Sequence, residues 1–174
     1  MMDFSSENDI YSEKKAISNY HMILKPSDNL GGLFLGDLKI SQDLNRLKQL
    51  ERKVILDMAG LNYSYRKEHN IICQSIKAED EPDFDLRVHF KGCFDFIHEH
   101  RVKGENVLVH CRVGKSRSAT IVIGYLMHSQ KMDFQTAFQF VKEIRSIAQP
   151  NEGFVEQLKK LEQSLKFEEE ILEE

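Results

Sequence analysis

The sequence HCRVGKSRS, residues 110–118, decides the fold of this chain because of what stands on either side of it. Residues 107–109 are apolar and rich in β-branched side chains, which predicts a short buried strand. Residues 119–127 are apolar on nearly every helical face, which predicts a central helix. In a loop between a strand and a helix, free backbone N–H groups and the helix dipole attract an anion. We therefore expect an anion-binding loop at residues 110–118.

Four residues of this loop suggest a particular chemistry. Cys111 begins the loop, where the field of the helix stabilises a thiolate, and a thiolate is a nucleophile at neutral pH. Arg117 offers a planar fork to two oxygens of a phosphate. Gly114 allows a tight turn in which successive N–H groups converge. Ser118 can donate a hydrogen bond to the sulfur and stabilise it as a leaving group. This set suits transfer of a phosphoryl group to sulfur, followed by hydrolysis.

The pattern His-Cys-x-x-Gly-x-x-Arg-Ser resembles the signature of the cysteine-dependent protein tyrosine phosphatases, and the continuation SATIVIGYLM resembles their dual-specificity branch. The resemblance implies that Cys111 is the covalent nucleophile and that Arg117 binds the phosphate. It implies that Ser118 assists breakdown of the phosphocysteine, and we expect His110 to support the loop through backbone contacts. The residues predicted to bind the substrate phosphate are Arg112, Val113, Gly114, Lys115, Ser116 and Arg117.

The resemblance extends over roughly residues 30 to 165. The segments GGLFLGDLKIS, from Gly31, and PNEGFVEQLKKLE, from Pro150, are similar to the opening strand and to the start of the final helix in that family. One departure follows the apolar run at residues 54–56. Asp57 stands there, where the family more often has Asn.

Two other interpretations of the loop are weaker. Gly114-Lys115-Ser116 is similar to the end of a nucleotide-binding G-x-x-x-x-G-K-[ST] loop, but that motif requires glycine at the position of Val109. A buried structural cysteine beside a basic surface turn is the second interpretation. The number of specified residues around Cys111 argues against it.

A general acid is expected in the acidic segment 78–85, which precedes a predicted helix and contains five carboxylates. Matching to the dual-specificity pattern places the acid at Asp80, with Asp83 as the second candidate. Asp80 would give its proton to the leaving oxygen and then take one from the attacking water. The alternative is that these carboxylates are solvated loop charges.

Composition fits one domain with an ordinary core: the chain has 174 residues, of which 41% are hydrophobic and 30% are charged. The net charge of −4 is concentrated at the C-terminal end, because residues 162–174 contain six Glu and one Lys, a sum of −5. Three scattered cysteines suit a reducing compartment, and the first residues lack a signal-peptide core. We predict a cytoplasmic or nuclear protein without metal or cofactor, with no nucleic-acid partner and no stable membrane insertion; the oligomeric state is unknown.

Apolar periodicity along the chain predicts strands alternating with helices, and therefore an α/β domain of the protein tyrosine phosphatase-like fold, with a mostly parallel sheet flanked by helices on both sides. We divide the chain into an N-terminal extension at residues 1–25, a catalytic domain at 26–166 and an acidic tail at 167–174. Residues 16–25 are either helical or extended. Ser41 is the expected cap of a short helix with Leu44, Leu47 and Leu50 on one face, and buried strands are expected at residues 54–56 and 71–76. Pro150 is expected to break the helix that starts near Phe134.

The predicted substrate is a phosphoprotein, carrying phosphotyrosine and phosphoserine or phosphothreonine. Arg112 and Lys115 make the loop more basic than one phosphate requires, and lipid phosphatases of the superfamily carry basic residues at the same two positions, so a phospholipid or phosphoinositide phosphatase is the runner-up. A phosphate-binding pseudophosphatase ranks low, because the catalytic residue types are all present. For Cys73, a core-facing position on a strand is favoured over a redox partnership with Cys111.

Overall fold

The computed structural model describes residues 18–49, 51, 54–61 and 68–173 of the chain. Its centre is a five-stranded mixed sheet in the order β1-β2-β5-β3-β4. β1 pairs with β2 in an antiparallel manner, and every other pairing is parallel. The strands are β1 Tyr20–Leu24, β2 Leu33–Gly36, β3 Val54–Asp57, β4 Ile72–Ser75 and β5 Val107–His110.

Helices cover both faces of the sheet, and alternate residues of the strands face opposite ways. On one face Phe34, Ile55 and Leu108 pack with two short helices. On the other face Val107 and Val109 join a larger core with the long helices. The helices of the described residues are α1 Leu38–Gln42, α2 Leu44–Gln49, α3 Arg87–Val102, α4 Arg117–Gln130, α5 Phe134–Ile144 and α6 Glu152–Glu173.

The predicted central helix is α4, which is buried from Arg117 to Met127. It lies between the sheet and the other long helices, and Gly124 lets α3 approach closely: a Cβ at this position would lie 2.8 Å from the Phe94 ring. The α/β prediction, with a mostly parallel sheet and helices on both faces, is therefore confirmed. Among the described residues no helix combines the length and the hydropathy that a membrane span needs.

Several local predictions were wrong or need refinement. The predicted helix with Leu44 and Leu47 is α2, and Asp43 precedes it and accepts a hydrogen bond from Arg46 N–H over 2.9 Å. Ser41 does not cap it, because it lies inside α1 and donates to the Leu38 carbonyl. Ser and Asp are both common N-cap residues, so the sequence alone did not distinguish Ser41 from the nearby aspartates. The helix before Pro150 already ends at Ile144. Leu50 lies outside the described residues.

The sheet edges also differ from expectation. Residues 20–24 form an edge strand, which decides between the two alternatives for residues 16–25 and places the start of the sheet before residue 26. β4 is an edge strand, so it is half exposed rather than buried. Helix α6 continues without a break through the boundary at residue 166 to Glu173. The division into extension, domain and tail stays a prediction, and residues 1–17 lie outside the described part.

Candidate active site

The cysteine loop, residues 111–116, connects β5 to α4 at the carboxyl edge of the parallel strands. Gly114 has a φ of +68°, a conformation that glycine adopts without strain. A Cβ on Gly114 would lie 2.4 Å from the carbonyl oxygen of Gly36, so the loop packs directly on the end of β2. The tight turn expected at this glycine is therefore present.

The carbonyl groups of residues 112–116 all accept hydrogen bonds from residues outside the cysteine loop. Leu38 N–H donates to the carbonyl of residue 112, Gln149 N–H to that of residue 115, and Thr120 N–H to that of residue 116. The carbonyls of residues 113 and 114 accept from Arg145. In a trans peptide the N–H points opposite to the preceding C=O, so the amides of residues 113–117 point away from these donors, and among them Gly114 N–H reaches Cys111 Sγ. Such a ring of N–H groups forms an anion-binding nest.

The sulfur of Cys111 lies at the floor of this nest and is buried, with 1% of the residue exposed. Gly114 N–H donates to Sγ over 3.2 Å, and Ser118 Oγ donates to it over 3.1 Å. Ser118 therefore occupies the position at which a hydroxyl stabilises sulfur as a leaving group.

Arg117 begins α4, directly before Ser118, and is buried. Its Nη1 donates to the Ala78 carbonyl over 2.9 Å, which fixes the guanidinium. Its Nε is buried and has no hydrogen-bond partner among the described residues. A buried guanidinium N–H without an acceptor is costly, and a bound phosphate would supply one.

Asp80 comes to the site from the acid loop, residues 78–85. Its Oδ2 lies 3.8 Å from Arg117 Nε, and its Oδ1 accepts a hydrogen bond from Asn151 Nδ2 over 3.1 Å. Asp85, by contrast, forms a bidentate pair with Arg87, which holds the pKa of that carboxyl below its ordinary value. Asp83 is exposed. Of these three carboxylates, Asp80 is the one that contacts Arg117.

Two residues that the sequence analysis missed hold the site together. Arg145, 1% exposed, donates from Nε to the Gly114 carbonyl and from Nη2 to the Val113 carbonyl, and its Nη1 reaches the Ser18 carbonyl. Burial lowers the pKa of Arg145 from its ordinary value. Its only sequence signal is a position near the end of a predicted helix, which is also typical of surface arginines.

Asn151 is the second missed residue. Its side-chain oxygen accepts from Phe154 N–H and caps α6, its amide group donates to Asp80, and its backbone N–H donates to Ser116 Oγ. One residue thus connects the last helix, the acid loop and the cysteine loop. The segment PNEGF, already noted for its resemblance, was the available signal.

Three of the residues predicted to bind the substrate phosphate have exposed side chains. Arg112, Val113 and Lys115 point to solvent at the rim of the nest, so their backbone amides rather than their side chains form the floor.

Cys73 packs towards the smaller core, whereas Cys111 belongs to the larger one. Cys73 lies on β4 and Cys111 directly follows β5. These two strands are separated by β3 and are about 10 Å apart, which is too far for a disulfide without backbone movement.

His110 is buried at the end of β5. Its Nδ1 lies 3.2 Å from the Cys111 carbonyl oxygen, and its Nε2 lies 3.6 Å from Asp57 Oδ1. The histidine therefore lies between the cysteine loop and the neighbouring strand β3, and its role as a support of the loop stays a prediction.

Comparisons with known proteins match this geometry. A family model described as the dual specificity phosphatase catalytic domain matches residues 33–164. Dual specificity protein phosphatase 1 of Arabidopsis thaliana is 41% identical over 136 residues, which are 77% of this chain and 67% of the relative. Human dual specificity protein phosphatase 22 is 38% identical over 133 residues, 76% of this chain and 71% of the relative. The crystal structure of DUSP15 superposes with a TM-score of 0.70 at 32% identity, over 81% of this chain and 94% of that one.

Proposed function

The chain belongs to the dual specificity phosphatase family, and we propose that Cys111, Arg117, Asp80 and Ser118 carry out its two-step phosphate ester hydrolysis. The family membership makes it a phosphoric monoester hydrolase that acts on phosphorylated proteins. The observation that carries the assignment of residues is the Cys111 sulfur at the floor of the amide nest, bonded to Gly114 N–H and Ser118 Oγ.

In the first step the phosphate oxygens occupy the nest, and Arg117 donates to two of them. Its unpartnered Nε supports this role. The Cys111 thiolate attacks phosphorus, a sulfur–phosphorus bond forms and the ester oxygen–phosphorus bond breaks. The leaving oxygen takes a proton from Asp80, so that the product is a neutral hydroxyl of tyrosine, serine or threonine.

In the second step a water molecule attacks phosphorus of the phosphocysteine. Asp80, now a carboxylate, takes a proton from this water, and the sulfur–phosphorus bond breaks to release inorganic phosphate. Ser118 Oγ stabilises the sulfur as it regains its negative charge. The enzyme returns to its starting state, and each atom of the water appears in the products or on Asp80.

Phosphoproteins remain the proposed substrates over phosphoinositides. The relatives at about 40% identity carry names of dual specificity protein phosphatases. Arg112 and Lys115 at the rim of the nest are exposed, so they are available to acidic groups that flank the phosphate. A cytoplasmic or nuclear location, with no nucleic-acid partner, stays part of the proposal.

A substrate panel tests this function. Rates are measured on a phosphotyrosine peptide, a phosphothreonine peptide and a vesicle-bound phosphoinositide, each with vanadate, with a chelator and with neither. We expect turnover of both peptides, inhibition by vanadate and no effect of the chelator. Mass spectrometry of the quenched reaction should find phosphate on Cys111. Turnover of the inositide alone would overturn the substrate class, and phosphate on another side chain would overturn the mechanism.

A further inference from the structure

The backbone of the acid loop is held at both ends by buried side chains. At its start, Arg117 Nη1 donates to the Ala78 carbonyl over 2.9 Å. At its end, Gln157 of α6 donates from Nε2 to the Phe84 carbonyl over 2.8 Å and accepts from Leu86 N–H at Oε1 over 2.8 Å. Gln157 is buried, with 9% of the residue exposed. The end of the acid loop is therefore fixed by a helix that lies more than 70 residues further along the chain.

The side-chain amide of Gln157 matches both of these backbone groups. Its oxygen accepts and its N–H₂ group donates, whereas a carboxylate can only accept and an apolar side chain does neither. Leu86, which is fully buried, directly precedes α3 and has no side-chain cap of its own. Without Gln157, the Leu86 N–H and the Phe84 carbonyl would lose their partners, and the backbone would gain free energy by moving towards water.

A tight turn carries such a movement to the acid. Phe84 N–H donates to the Glu81 carbonyl over 3.1 Å, so residues 81–84 form a turn, and Asp80 directly precedes it. The Phe84 carbonyl that Gln157 binds belongs to the last residue of this turn. The position of the turn therefore decides where the Asp80 side chain starts.

The middle of the same turn lies against the first turn of α6. A Cβ on Gly153 would lie 1.9 Å from the Pro82 carbonyl oxygen, so only glycine permits this approach. The turn is thus located by α6 at two points, by contact at Gly153 and by hydrogen bonds at Gln157.

We propose that Gln157 is a positioning residue for general acid catalysis, which holds the end of the acid loop so that Asp80 reaches the leaving oxygen. Gln157 acts through the backbone of residues 81–84, and Gly153 provides the surface on which that turn rests. This inference rests on the proposed role of Asp80 as the acid. It gives the first two turns of α6 a function in proton transfer in addition to their place in the core.

Gln157→Met tests the proposal, because it keeps the length of the side chain and removes both hydrogen bonds. We expect the rate on a phosphothreonine peptide to fall about 10-fold to 100-fold, an effect typical of a small misplacement of a catalytic group. The rate on an aryl phosphate with an acidic phenol, which leaves without a proton, should change by less than about twofold. Equal losses on both substrates would overturn the proposal, since a merely structural residue would affect both.

Leu158→Ala is the matched control. Leu158 is the next residue of α6 and is fully buried in the larger core, so its truncation destabilises the same helix but leaves the Gln157 amide in place. Denaturant unfolding should show the loss of stability, and the ratio of the two rates should stay that of the unaltered enzyme. A change in this ratio as large as that of Gln157→Met would mean that a general loosening of α6 is responsible, and the proposal would be wrong.

A double variant separates this inference from the proposed function. In the Asp80→Ala background, Gln157→Met should cause little further loss on the phosphothreonine peptide, because no acid is left to position. Losses that multiply would contradict the inference and leave the assignment of Asp80 intact. If Asp80→Ala alone did not discriminate between the two substrates, the assignment of the acid would fail, and the inference with it.

Gly153→Ala decides the question if Gln157→Met does not fold. Alanine favours a helix, so α6 should form, but the added Cβ displaces the Pro82 carbonyl and with it the turn before α3. We expect the same pattern, a loss on the phosphothreonine peptide with little change on the aryl phosphate. Unaltered rates on both substrates would show that the contact between α6 and the acid loop does not position the acid.

Discussion

The cysteine loop and the acid loop meet at Arg117, but they are held in different ways. Every carbonyl from residue 112 to residue 116 has a donor from α1, α4, Arg145 or Gln149, so the nest exists before substrate binds. Asp80 of the acid loop is partly exposed, with 39% of its side chain accessible, and is connected to the rest of the site through Asn151 and Arg117. The cysteine loop is therefore preorganised, whereas Asp80, the proposed acid, is held by few contacts.

This difference has a chemical basis. The charge on the transferred phosphoryl group is present throughout the reaction, and fixed dipoles stabilise it best when they do not reorganise. In the proposed mechanism Asp80 exchanges a proton with the leaving group and then with water, which requires access from solvent. Mutations in the two loops should therefore affect different substrates differently.

The largest effect should follow replacement of the nucleophile. Cys111→Ser removes the sulfur that the nest is built around, while the amides and Arg117 remain. We expect turnover to fall by roughly 10⁴-fold or more on every substrate. Binding of a phosphotyrosine peptide, measured by calorimetry, should persist. Residual turnover close to that of the unaltered enzyme would mean that the sulfur does not carry the phosphate.

Replacement of the acid should discriminate between leaving groups. Asp80→Ala should lower the rate on phosphothreonine peptides by about 10²–10⁴-fold, because an alkoxide leaves poorly without a proton. The loss should be much smaller on an aryl phosphate with an acidic phenol. Asp83→Ala, a carboxylate removed from the same loop, is the matched control and should leave both rates nearly unchanged. If the pattern appears in Asp83→Ala instead, the assignment of the acid moves to that residue.

Replacing Arg145 tests how far the cysteine loop depends on the hydrogen bonds to its carbonyl groups. Arg145→Met leaves the carbonyls of Val113 and Gly114 without their donor, at about 1–3 kcal/mol for each buried group. We expect the free energy of unfolding to fall by roughly 3 kcal/mol. The rates on good and poor leaving groups should fall together, since the nest and not the acid is disturbed. A loss confined to poor leaving groups would contradict the separation of the two loops.

The sequence was sufficient to predict the features that a local pattern of residues determines. A strand, a loop and a helix follow one another at residues 107–130, so the nucleophile and Arg117 could be placed together from their spacing alone. Asp80 depended on the family resemblance, because nothing local distinguishes it from Asp83. Arg145 and Asn151 contact their partners across 31 and 71 residues of chain, and such contacts arise only from tertiary packing. The same holds for β4, whose apolar residues suggest burial although the strand lies at an edge.

The smallest effect concerns the anchor of the acid loop. Asn151→Ala removes the hydrogen bond to Asp80 and also the cap of α6, whereas Asn151→Ser keeps a capping hydroxyl that is too short to reach Asp80. One hydrogen bond contributes about 1 kcal/mol, so both variants should lose roughly fivefold in rate on phosphothreonine peptides and little on a good aryl phosphate.

Stability distinguishes the two Asn151 variants. Denaturant unfolding should show a loss of about 1 kcal/mol for the alanine variant and a much smaller loss for the serine variant, since only alanine removes the cap. A serine variant with an unaltered rate would show that Asp80 reaches its position without Asn151. The acid loop would then be as well preorganised as the cysteine loop, and the proposed difference between the two loops would be wrong.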